Sequence, residues 1–177
     1  MPLLFTKALL ALFLLSCTAS ASFGFEIKSP QLTIIYESED ILRSFNRALR
    51  LGSLSYRMKN RKNLLIQDEV MSKAEVLTER VQDVLEMYPR HLSFRIVLLP
   101  SASEVQKAYR ARYGTAVDYI AYYSPHEETV YISVRDVNRN VLAHELAHVI
   151  MKNYFGTSPS AKIHEVLAQY VDKHLED

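Results

Sequence analysis

Residues 141–154, VLAHELAHVIMKNY, organise the reading of the whole chain. Val141, Leu142, Ala143, Leu146, Ala147, Val149 and Ile150 give this stretch an apolar body suited to a buried helix. Positions i and i+4 share a helix face, so His144 and His148 can reach one metal ion. Zn2+ suits imidazole donors, and an open coordination position makes such an ion reactive. Glu145 lies about 100° round from His144, where it can reach a water at the ion without displacing either nitrogen. A carboxylate so placed can take a proton as general base and deliver it to a leaving amine. The plain alternative is a pair of satisfied histidines on an ordinary helix. The strand predicted just before the helix, together with the apolar body, favours the metal.

A third ligand is sought downstream. Metzincin-type extensions need Gly and His three and six residues after the second histidine; Met151 and Tyr154 stand there instead. Gly156 ends the first helix, and Ser158-Pro159 supplies an N-cap and first-turn proline for a second, running to about His174. Its expected core stripe is Ile163, Val166, Leu167, Tyr170 and Val171, facing the domain body. Glu165 and Ala168 share a face beside that stripe, and a small residue one turn from a ligand lets two helices approach. His164 points about 100° away from Glu165 and is the competing ligand. Tyr154 and Tyr170 are candidate oxyanion donors, although a packing role suits either. His126 and His174 read as surface residues.

Upstream, Gln31–Glu37 reads as a strand and Glu39–Leu51 as a helix with Ile41, Leu42, Phe45, Ala48 and Leu49 on one face. Asp68–Tyr88 is a longer helix, apolar at 70, 74, 77, 81, 84 and 88 and stopped by Pro89. Phe94–Leu99 is a buried strand. Ser101 and Glu104 form a capping-box signature for a helix that ends near Gly114. Tyr119–Tyr123 and Thr129–Val134 make an antiparallel hairpin, its tyrosines packing on the sheet. The order predicts an α+β domain over 22–177, with a small mixed sheet covered by helices.

Met1–Ala21 reads as a secretory signal: Lys7 is its only charge, Ala8–Leu15 is apolar, and Ala19-Ser20-Ala21 is a small-x-small cleavage site. Leu14-Leu15-Ser16-Cys17 offers a second reading, a lipoprotein signal ending before Cys17. Both place the mature chain outside the cytoplasm, periplasmic or secreted. With one Cys in 177 residues, the fold rests on packing or a metal and not on disulfides. A net charge of +1 gives no whole-protein field for nucleic acid. Between Arg43 and Lys62 lie seven basic residues and no acid. They form either a solvated segment balanced by acids elsewhere or a contact with anionic membrane.

HELAH at 144–148, followed by Glu165, Ala168 and Tyr170, resembles the gluzincin metallopeptidases, above all the small peptidase MA-like and minigluzincin types. The resemblance implies a zincin-like fold with zinc held by His144, His148 and Glu165, and Glu145 as catalytic base. It implies a peptide or protein substrate held by strand addition along the sheet's edge strand, expected at Thr129–Val134. An acid supporting the ligands often follows the third ligand by one turn in these families; here Gln169 stands there, with Asp172 further on. Twelve residues follow Glu165, so the large C-terminal subdomain of bigger gluzincins is not expected. The rival expectation is a catalytically weak or inactive zinc-binding module serving as an envelope interaction protein.

Overall fold

The structure, a computed structural model, describes residues 24–59, 61 and 64–176. The expected leader over 1–21, with Cys17, lies outside the described residues, as does Lys62. In chain order the elements are β1 (Phe25–Lys28), β2 (Leu32–Tyr36), α1 (Glu39–Ala48) and a 3-10 helix (Gly52–Met58). Then come α2 (Ile66–Leu85), β3 (Phe94–Leu99), α3 (Ala102–Tyr113), β4 (Ala121–Ser124) and β5 (Thr129–Ser133). The chain closes with α4 (Arg139–Tyr154) and α5 (Ala161–His174). The expected α+β class holds. Phe25–Lys28 is a strand beyond those the sequence predicts: it is four residues long and mostly exposed, and pairing with β2 makes it one.

One mixed sheet has the order β1-β2-β3-β5-β4. β2, β3 and β5 run parallel, while β1 and β4 are antiparallel strands at the two edges. β3 buries Phe94, Ile96, Val97 and Leu98, as a central parallel strand with both faces covered should. The main core lies between one sheet face and α1, α2 and α4, with Phe45, Leu77, Ile96, Leu142 and Leu146 fully buried. A smaller cluster of Val97, Val105, Tyr122 and Tyr131 covers the opposite face under α3.

The edge strand is corrected. Thr129–Ser133 is an inner strand, buried at every residue because β3 pairs with one side of it and β4 with the other. The edge beside the helices is β4. From sequence, either arm of a hairpin can lie outermost; the parallel partnership of β5 with β3 decides it.

Local chemistry sets the helix ends. Ser38 Oγ accepts the Ile41 N–H at 3.4 Å, with Glu39 and Asp40 in the first turn of α1. α2 buries Val70, Ala74, Leu77 and Val81 as expected but stops before Tyr88. Glu86 adopts φ 52°, and the Met87 N–H turns back to the Gln82 carbonyl at 3.1 Å. α3 starts after Ser101 without the expected capping box: Ser101 makes no side-chain cap bond, and Glu104 pairs with Lys107 at 2.8 Å. It ends at Gly114, φ 70°.

Three of the six described basic residues of the run, Arg43, Arg57 and Arg61, are held by acids. Arg57 pairs with Asp83 at 2.8 Å, and Arg61 bridges Glu75 and Glu79 at 2.6 and 2.5 Å, fastening the 3-10 segment to α2. Arg43 pairs with Glu39.

α5 returns antiparallel to α4, since His148 meets Glu165 while His144 meets Asp172. Ala168, Val171 and Leu175 are its buried face, spaced i, i+3 and i+7. This corrects the expected stripe, because Ile163, Val166 and Tyr170 are exposed. α5 lies on the surface and packs on α4 and α2 along a seam narrower than its apolar face. The Arg80 guanidinium fixes its far end, donating to the His174 and Leu175 carbonyls at 2.7 and 2.8 Å. The N-cap is Ser160 rather than Ser158. Ala168→Leu should cost about 1–3 kcal/mol by overpacking this seam. Urea denaturation would show that loss, accompanied by weaker zinc uptake as α5 is pushed away from α4.

Candidate metal centre

α4 begins cleanly because Asn138 Oδ1 accepts the N–H groups of Asn140 and Val141 at 2.9 and 3.1 Å. Leu142, Ala143, Leu146, Ala147, Val149 and Ile150 then bury the helix against the sheet. The remaining stripe, His144, His148 and Lys152, faces a cleft between β4 and α5. Across it stands Glu165. His144 Nε2 lies 3.6 Å from Glu165 Oε2, and His148 Nε2 lies 3.5 Å from Glu165 Oε1. The three donor groups all lie within 4.8 Å of one another.

This spacing fits zinc. Donors about 2.0–2.1 Å from a tetrahedral ion stand about 3.3–3.4 Å apart, close to both separations. Burial, followed by the neighbouring His144 and His164 rings, lowers the His148 pKa to about 4. At neutral pH it offers a lone pair without first losing a proton. His144 Nδ1 lies 3.0 Å from Asp172 Oδ2, a carboxylate that accepts its N–H and turns Nε2 toward the cleft. Asp172 is the supporting acid, two turns beyond Glu165 rather than one. Its placement was readable: i and i+7 share a helix face, as do Glu165 and Ala168.

Glu145 is 9% exposed. Burial pushes its pKa up to about 7; His144 and a backbone hydrogen bond with Tyr123 act against that, and the Glu165 and Asp172 carboxylates add to it. A carboxylate near neutrality can both accept and return a proton.

His164 does not join the triad. Its ring stacks on His148 with centroids 5.7 Å apart, and Nε2 is 2.9 Å from Ser158 Oγ. Thus Ser158 holds the neighbouring histidine instead of capping α5. Burial also lowers the His164 pKa. Neither candidate oxyanion tyrosine lines the cleft: Tyr154 meets Phe155 edge to face, and Tyr170 stacks on His174. The cleft, about 760 Å3, is instead walled by Tyr109, Tyr119, Tyr122 and Tyr123. The hairpin tyrosines thus serve the cleft as well as the sheet, with Tyr122 stacked on Tyr131 at 5.0 Å. Sequence gave these residues a packing role alone, because a β4 edge beside α4 was not foreseen.

No protein-family model, no curated protein and no solved structure matches the chain.

The site predicts one zinc per chain by elemental analysis after refolding with zinc. His144→Ala, His148→Ala and Glu165→Ala should each lose that zinc, whereas His164→Ala keeps it. Asp172→Asn should weaken zinc affinity about 10- to 100-fold, read by chelator competition.

Proposed function

We propose that this chain is a zinc-dependent peptidase of gluzincin type, with His144, His148 and Glu165 as ligands and Glu145 as general base. One observation carries the reading: His144 and His148 of α4 converge with Glu165 of α5, and the buried Glu145 carboxylate of α4 lies beside them at the edge strand β4. Zinc bound there would supply Lewis acidity, acidifying water and polarising the scissile carbonyl.

The chain's own residues supply the rest. The Ser133 N–H donates to the Ile120 carbonyl at 2.9 Å, so even-numbered residues of this strand face β5. Ala121 therefore turns both backbone groups, and Tyr123 its carbonyl, to the open edge, where an extended peptide can pair, while the Tyr123 N–H is directed to Glu145. The Tyr123 amide thus ties the base to the strand that would seat the substrate. Glu145 takes a proton from the attacking water and returns it to the leaving amine. Asp172 keeps His144 in one tautomer. The leader-like sequence at 1–21 supports an extracytoplasmic setting.

Glu145→Gln separates the peptidase from an inactive zinc module. The variant should keep one zinc and lose peptide hydrolysis by at least about 100-fold, the scale of general-base catalysis. Mass-spectrometric assay against a mixed peptide pool provides the measurement. Equal cleavage by Glu145→Gln, or none by the zinc-loaded wild type, would overturn the peptidase reading.

A further inference from the structure

The cleft has two ends with different chemistry. Toward the start of α4 it adjoins a shallow hollow lined by Ile120, Asn138, Asn140 and Val141. Toward the end of α4 its wall holds Tyr123, Pro125 and Lys152. His144 and Glu145 border both. β4 and α4 therefore traverse the cleft in the same direction, with the metal ligands in the middle.

Lys152 is the only Lys or Arg among the described residues lining the larger part of the cleft. It continues the His144–His148 stripe by one more turn, about 6 Å along the helix axis beyond His148. Unlike Arg57, Arg61, Lys73, Lys107 and Arg112, which all hold acids, it has no ion pair or hydrogen bond among the described residues. Beside the donor set and its neighbours the cleft is walled mainly by tyrosines and prolines, so the exposed Lys152 ammonium is the one described side chain there with a permanent positive charge to offer an anion.

We propose that Lys152 selects peptides with an Asp or Glu side chain one or two residues before the scissile bond. This deepens the peptidase reading and rests on it. Direction follows from pairing: an antiparallel peptide on the β4 edge runs opposite to α4, so its N-terminal part lies at the Pro125 and Lys152 end. Distance follows from the strand rise: about 6 Å is about two residues of extended chain at about 3.3 Å each. The carboxylate therefore belongs to the acyl side of the cut and not to the peptide's C-terminus.

The test uses short labelled peptides with blocked ends and a single Glu, Gln or Lys, beside one Gln peptide with a free C-terminal carboxylate. Fluorescence anisotropy measures binding to the metal-free chain and to zinc-loaded Glu145→Gln, and mass spectrometry maps cleavage by the zinc-loaded wild type. The blocked Glu peptide should bind about two- to fivefold tighter than its Gln twin, the upper part of the range of an exposed ion pair. That preference should vanish in Lys152→Met, turn toward the Lys peptide in Lys152→Glu, and fade at about 0.5 M salt. Cuts should fall one or two residues after Glu. Equal binding of the Glu and Gln peptides, or a preference that survives in Lys152→Met, overturns the proposal. So does a gain seen only with the free C-terminal carboxylate. Lys152-dependent binding without cleavage would leave the recognition element standing and sink the peptidase reading; cleavage without acidic preference would do the reverse.

Discussion

The contact on which the site depends is the packing of α5 against α4 over Ala168. His144 and His148 come from one helix, Glu165 and Asp172 from the other, and no donor set exists until the two lie side by side. Ala168 is fully buried at that seam, one turn from Glu165, where a larger side chain would separate the helices. The seam is held along its length. Val171 and Leu175 anchor α5 in the core, Arg80 binds its last carbonyls, and Arg139 at the start of α4 pairs with Glu176. Gly52, at φ 60°, leaves room for that arginine: a Cβ there would lie 2.0 Å from Arg139 Nη1.

A second constraint is electrostatic. Glu145 is buried next to His144, one of the three convergent donors, and burial is costly for an ionised carboxylate. The Tyr123 amide and the nearby His144 offset part of that cost, while Glu165 and Asp172 add to it. The site thus concentrates negative charge around two imidazoles, an arrangement that a divalent cation relieves.

The edge strand links the two constraints. β4 supplies the amide that orients Glu145, the tyrosines that wall the cleft and the free backbone edge beside it. Placing β5 inside the sheet makes this possible, since the outward arm of the hairpin must be the one that lies against α4.

The sequence by itself determined the α+β class, most of the elements, and the pairing of His144 with His148 on one helix face. These are local properties: the period of apolar residues marks helices and strands, and i, i+4 spacing puts His144 and His148 on one face whatever surrounds them. Glu165 was legible as a candidate because Ala168 shares its face. Tertiary structure alone decided between Glu165 and His164, placed Asp172 behind His144, and made β4 the edge. It also turned Ile163, Val166 and Tyr170 outward. The reason is common to all four. Helical periodicity fixes which residues share a face, but not how far that face is rotated toward its neighbour or how wide a seam the neighbour offers. Likewise a hairpin's sequence fixes its pairing, while the order of strands depends on a third strand distant in the chain.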